Sequence, residues 1–257
     1  MLDDIKTLIW FILRPKFYSA LWDLILRNFI LRNKDDDYAK ELAKDWCKNN
    51  SVSKDVLFKE IGIKSVVSFK EVAGESYFNE INRKIEESIS NFGGCGDLDL
   101  IYNLSSYFKL RNIVETGVAY GWSASAILHG ISQNDGLLVS VDMPMPKQKD
   151  YQMIGVAVKE KHLKNWFLIR EPDKFGLLKA FKRFNKKVDM VHYDSDKNYY
   201  GREWAYPKIM KNLVKDGFLV CDDIEDNLHF RDFAYMNDYP YWVTFIDGKY
   251  VGIIKNS

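Results

Sequence analysis

The sequence predicts an α/β fold: a mostly parallel, seven-stranded sheet closed by an antiparallel C-terminal hairpin, with helices ahead of it. Two observations carry this. From Asn112 onward, short β-rich runs alternate with helical stretches, the pattern of right-handed crossovers between parallel strands. Near the end the alternation breaks, and strand-like runs over 241–246 and 249–254 are separated only by Asp247-Gly248. A two-residue Asp-Gly link of that kind marks a hairpin.

The predicted strands are 112–118, 137–141, 166–169, 188–193 and 217–221, followed by the hairpin pair. Helices are expected at 122–131, 153–161, 174–184 and 200–214. Upstream, 37–48 and 76–91 read as helices, the second with Phe78, Ile81, Ile85 and Ile89 on one stripe. Asp97 stands where a helix N-cap belongs, ahead of an apolar run from Leu98 to Phe108. Three units follow: an amphipathic segment 1–33, a helical cap region 34–96 covering one side of what comes next, and the α/β domain 97–257.

The chain has 257 residues, 37 Lys plus Arg against 36 Asp plus Glu, and 47% hydrophobic residues. A net charge of +1 argues against a dedicated nucleic-acid binder and against an acidic disordered chain. The 3 cysteines, Cys47, Cys95 and Cys221, show no metal-ribbon spacing and cannot all pair with one another, which suits a reducing, cytoplasmic compartment.

Residues 5–31 are the most apolar stretch, but Arg14-Pro15 interrupts it, so it is too broken for a membrane span of about 20 apolar residues. Phe17, Leu21, Leu24, Ile25 and Phe29 recur at helical spacing, with Trp10 and Trp22 among aliphatics and Arg14, Lys16, Arg27 and Arg32 adding positive charge. Two readings fit: a helix lying in the inner face of a membrane through residues 1–32, or a helix docked on the domain or on a second copy of the chain.

In a parallel sheet, ligands bind beyond the carboxyl ends of the strands. After the first strand comes Glu115-Thr116-Gly117-Val118-Ala119-Tyr120-Gly121-Trp122-Ser123. Gly117 and Gly121 permit a tight turn and close approach of a ligand to backbone. Glu115 replaces the first glycine of the pyrophosphate fingerprint, which disfavours a diphosphate and suits a neutral or cationic nucleoside. Asp142, at the end of the second strand, can accept hydrogen bonds from ribose hydroxyls, and Met143 beside it can pack on a base. Glu171 lies just past the third strand, Asp194-Ser195-Asp196-Lys197-Asn198-Tyr199 past the fourth, and Asp222-Asp223 past the fifth.

Glu115-x-Gly117-x-x-x-Gly121, Asp142, the acid after the fourth strand and the final hairpin together resemble class I S-adenosylmethionine-dependent methyltransferases of Rossmann-like fold, over about residues 97–254. The segments 189–199 and 217–223 further resemble metal-dependent O-methyltransferases of the catechol O-methyltransferase type. A related bacterial group acting on sugars and natural products has Asp-Gly-Asp-His where this chain has Asp194-Ser195-Asp196-Lys197.

The resemblance implies S-adenosylmethionine contacts from Glu115, Gly117, Val118, Tyr120, Gly121, Ser123, Asp142, Met143, Glu171 and Asp194. It implies a divalent ion, Mg²⁺ by its oxygen ligands, on Asp194, Asp222 and Asp223, and a catalytic Lys197 working with Asp194. The expected acceptor is a hydroxyl of a glycan, a glycolipid or a small molecule. The alternatives are a metal-independent methyltransferase, or a non-catalytic, membrane-associated or oligomeric scaffold that retains the nucleotide pocket. His192, alternating with buried positions, reads as structural, and Tyr199, Tyr200 and Trp204 as core before acceptor wall.

Overall fold

The computed structural model describes residues 2–29, 35–89, 91–144 and 150–257. The Lys34 end of the predicted linker, Arg32, and the side chains of Leu24, Arg27 and Phe29 lie outside what is described. The elements are α1 (Leu2–Ile12), α2 (Tyr18–Phe29), α3 (Asp37–Asn50), β1 (Ser51–Val52), α4 (Lys54–Ile61), α5 (Phe69–Ala73) and α6 (Glu75–Glu86). They continue with α7 (Leu98–Tyr107), β2 (Asn112–Thr116), α8 (Trp122–Ile131), β3 (Leu137–Val141), β4 (Trp166–Ile169), α9 (Asp173–Phe184) and β5 (Val188–Tyr193). The chain ends with α10 (Tyr199–Asn212), β6 (Leu213–Cys221), α11 (His229–Met236), β7 (Tyr241–Ile246) and β8 (Lys249–Lys255).

The sheet has 8 strands in the order β1-β7-β8-β6-β5-β2-β3-β4. Only β8 runs antiparallel to its neighbours, β6 and β7, as the Asp-Gly turn predicts. The extra strand is β1, a two-residue edge piece parallel to β7, too short to announce itself by alternation. From β2 the chain winds outward through β3 to β4, then returns to β5 on the other side of β2. The topological switch point, where the crevice of such a sheet opens, is therefore between the ends of β2 and β5.

Alternate residues feed two cores. Ile113, Leu138, Met190, Phe218 and Ile253 face a layer built from α4 to α8, so within 34–96 the helices α4, α5 and α6 lie on one side of the sheet while α3 packs on the other. Val114, Val139, Val191, Leu219 and Ile254 face α9, α10 and α11, with Cys47 of α3 in the same cluster. Asp97 caps α7 as predicted, its Oδ1 accepting the Leu100 N–H at 3.0 Å.

One predicted helix does not form. Over 153–161 the chain instead makes isolated 3-10 turns at Tyr151–Met153 and Glu160–Asn165. The reason is where its N–H groups go. Gly155 N donates to Ala119 O at 3.0 Å, and Ala157 N to Tyr120 O at 2.9 Å. These donors brace the glycine loop and are lost to any helical ladder. Gly155 also lies so close that a Cβ on Gly121 would stand 2.7 Å from its Cα.

Candidate active site

The glycine loop leaves β2 at Thr116 and enters α8 at Trp122. Gly117 and Gly121 both have left-handed φ, +79° and +83°, and Ala119 shares that region at 48°. A Cβ on Gly117 would lie 2.1 Å from the Asp194 carbonyl oxygen, so only glycine lets the loop touch the end of β5. Asp142 closes the loop from the side. Its Oδ1 accepts the Val118 N–H at 3.0 Å, and its Oδ2 pairs with Arg170. Burial raises its pKa above the usual carboxylate range, against the pull of that amide and Arg170.

Behind the loop runs a polar row set by strand register. Glu115 pairs with Ser140 on β3 and with His192 on β5. Glu115 is fully buried and accepts the Ser123 hydroxyl at 2.6 Å and the Ser140 hydroxyl at 2.7 Å. Trp166 Nε1 donates to Ser140 Oγ at 2.9 Å. His192 lies with Nδ1 3.6 Å from Glu115 and Nε2 3.4 Å from Asp222. Burial opposes its charge, but the two carboxylates win and push its pKa up to about 10. A protonated His192 thus links the loop side of the site to the end of β6.

At that end the acids converge on lysine. Lys197 Nζ lies 2.9 Å from Asp194 Oδ1 and also pairs with Asp223 Oδ2. Lys249 Nζ stands 3.1 Å from Asp223 Oδ1. Burial opposes the charge on Lys197, yet Asp194 and Asp223 raise its pKa above the ordinary lysine value. Burial would raise Asp223, but Lys197 and Lys249 bring it below the ordinary range. Asp194 goes the other way, to about 6, because it is half-buried and faces Asp222.

The donor set of Asp194, Asp222 and Asp223 was expected to hold a divalent ion. Each of these carboxylates already faces a nitrogen of the chain, and Lys197 stands between two of them. Among the described residues, no group of His, Cys, Asp and Glu side chains is arranged to hold a metal ion. As arranged, the residues do not fit a divalent cation; an ammonium group occupies that role. The expectation of Lys197 as proton acceptor meets the same obstacle, since an ammonium held by two carboxylates has no lone pair to offer.

Other expected contacts are directed elsewhere. Tyr120 is buried with its ring 4.9 Å from Phe92. Glu171 pairs with Lys179 at 2.6 Å. Met143 is half-buried beside Asp142. Tyr199 is buried, edge-on to His229 at 4.8 Å, in keeping with a core role.

Sequence reasoning passed over three residues that hold the site together. Arg202, fully buried on α10, donates to the Asp222 and Asp223 carbonyls at 3.2 and 2.7 Å and to Asn227 Oδ1 at 3.2 Å. Asn227 Nδ2 donates to the Lys197 carbonyl at 2.8 Å and to Asp35 Oδ1 at 2.7 Å. Asp35 also takes the Tyr199 N–H at 2.8 Å. An arginine within the Gly201–Ala205 stretch was the available signal, since a lone cation there must either snorkel or find buried carbonyls.

A family model described as "Methyltransferase domain" matches residues 114–224, which run from β2 past the Asp222-Asp223 pair. Solved structures share the fold. An O-methyltransferase from Bacillus cereus in complex with SAH is 11% identical with a TM-score of 0.51, covering 81% of this chain and 99% of that one. TomG from Streptomyces achromogenes, an O-methyltransferase involved in tomaymycin synthesis and solved with SAM, is 14% identical with a TM-score of 0.52, covering 79% and 96%. A methyltransferase from Geobacter sulfurreducens is 14% identical with a TM-score of 0.52, covering 76% and 100%. No curated protein matches at the sequence level. Residues 114–224 thus match a methyltransferase-domain model, and the chain shares the Rossmann-like fold of these structures.

Proposed function

We propose that the protein transfers a methyl group from S-adenosylmethionine to a hydroxyl of a glycan, glycolipid or small molecule. The observation that supports this most is the contact between the two halves of the site. Gly117 presses against the carbonyl of Asp194, so the glycine loop and the Asp194–Lys197 cluster are adjacent at the switch point, where ligands of such sheets bind. The loop's chemistry suits this donor. Glu115 stands where the pyrophosphate fingerprint has glycine, and Asp142 beside the loop offers an acceptor for a ribose hydroxyl, which suits a nucleoside without a diphosphate.

When bound, the donor supplies an electrophilic methyl whose carbon–sulfur bond breaks as the bond to the acceptor oxygen forms. Asp142 would accept a ribose hydroxyl in place of its contact with Arg170. An ammonium has three donors, and Lys197 spends two on Asp194 and Asp223, leaving one to orient the acceptor oxygen. Asp194, with its pKa near 6, would take the proton released by the hydroxyl. The roles implied by the resemblance are thereby exchanged: lysine positions and the aspartate accepts.

A magnesium-dependent mechanism is the second reading, favoured by the crowding of Asp194 against Asp222. It requires Lys197 to leave both of its partners. Turnover of labelled donor with a panel of glycan, glycolipid and phenol acceptors, with and without chelator, separates the two. Activity that survives full metal removal supports the lysine reading, and activity restored only by Mg²⁺ supports the other. No binding of S-adenosylmethionine by calorimetry would end both.

A further inference from the structure

Residues 1–34 carry six Lys or Arg and three Asp, a net charge of +3, so the rest of the chain is net −2. The α1–α2 hairpin displays large apolar side chains to solvent on both helices. On α1, Leu8, Ile9 and Ile12 are 45–51% exposed, and Leu13, just after the helix, is 70% exposed. On α2, Tyr18, Trp22 and Ile25 share one stripe, with Trp22 61% exposed. These side chains are not loose ends of an unfolded tail. Phe11 and Phe17 are buried, and Trp10 stacks on Phe17 with ring centroids 5.2 Å apart, so the turn between the helices has its own small core.

The cations sit among the apolar groups. Arg14 lies over the Trp10 ring at 4.5 Å and Lys16 over the Phe17 ring at 4.8 Å, both on exposed residues. The acid of α2 is withdrawn from this surface, since Asp23 pairs with Lys174 of α9 at 2.7 Å. Apolar side chains interleaved with aromatic-stacked cations match the chemistry of an anionic lipid surface: acyl chains below, phosphates above. No helix of the described residues is long and apolar enough to cross a membrane, so the contact is interfacial.

We propose that the α1–α2 hairpin docks the protein on an anionic lipid bilayer. The hairpin is fixed beside the crevice. Lys174 follows Asp173, which pairs with Ser195 in the loop that carries Asp194 and Lys197. Trp10, Arg14 and Phe17 share a cavity with Pro144 and Tyr151, which flank the segment after Asp142. Docking through this face holds the carboxyl edge of the sheet next to the lipid surface.

The test is co-sedimentation of the full chain with vesicles of phosphatidylcholine alone or mixed with phosphatidylglycerol. Binding to the mixed vesicles is expected, falling at least tenfold on phosphatidylcholine alone and weakening at about 0.5 M salt. Leu13→Glu with Trp22→Glu, and separately Arg14→Ala with Lys16→Ala, should each reduce it about tenfold or more. Quenching of tryptophan fluorescence by brominated acyl chains reads the contact in the unaltered chain and needs no variant to fold. The proposal is overturned if the chain stays in the supernatant with both vesicles, or if binding is equal for both. It is also overturned if light scattering shows a dimer split by Leu13→Glu with no lipid binding, which would make the hairpin a contact between copies. Lipid binding and methyl transfer are separately measurable, so either can fail alone.

Discussion

At the carboxyl edge of the sheet, polar side chains are sunk into the protein and nearly all find partners; on the N-terminal hairpin, large apolar side chains stand in water. Glu115 and His192 are 0% and 1% exposed, while Leu13 and Trp22 are 70% and 61% exposed. The first arrangement costs desolvation and is held by a dense set of hydrogen bonds and ion pairs inside one chain. The second leaves transfer free energy unrealised, which only an outside surface can collect. One region is complete by itself and the other is not, and substitutions in the two should behave accordingly.

Glu115→Ala should have the largest effect on folding. It strands Ser123, Ser140 and a protonated His192, and the loss should be about 3–5 kcal/mol by denaturant unfolding. A loss below about 1 kcal/mol would mean the polar row is not holding the sheet edge together. Gly117→Ala forces a Cβ against the Asp194 carbonyl at a left-handed φ and should cost about 2–4 kcal/mol, with a matching fall in donor affinity by calorimetry.

The effect of acid should be smaller. His162 is buried, with its ring centroid 4.4 Å from that of His129. Burial first, then His129 and the nearby Lys161 and Lys159, lower its pKa from 6.5 to about 4. Between these values the unfolded chain binds the extra proton, so the His162 contribution is full above 6.5 and is lost as pH drops toward 4, by about 2 kcal/mol. Asp194, raised to about 6, contributes with the opposite sign below that pH, so the His162 part is read as the difference between the unaltered chain and His162→Gln. Thermal melts of both across that window check this. The smallest effect belongs to the hairpin. Leu13→Glu should shift unfolding by no more than about 0.5 kcal/mol, because the side chain has little to lose in the free protein.

The strands, the final hairpin and the capping Asp97 were legible because each has a local cause: alternation, an Asp-Gly turn, a side chain that accepts its own N3 amide. The helix expected over 153–161 was not, because the competitor for its backbone donors, the carbonyls of Ala119 and Tyr120, is remote in sequence. The candidate site was legible as a set of strand-end residues, and Asp194, Lys197, Asp222 and Asp223 do lie together. Their pairing was not legible. That Lys197 bridges two acids, that His192 joins Glu115 to Asp222, and that Arg202 grips two carbonyls depend on register between strands and on burial.

The central claim is that the glycine loop and the Asp194–Lys197 cluster serve one reaction centre. The direct measurement pairs calorimetry of S-adenosylmethionine binding with methyl transfer from labelled donor, for the unaltered chain and for Lys197→Ala. The account predicts donor affinity within a few-fold of the original and turnover reduced about 10²–10⁴-fold. Undiminished turnover in Lys197→Ala, or an unaltered chain that does not bind the donor, would contradict it.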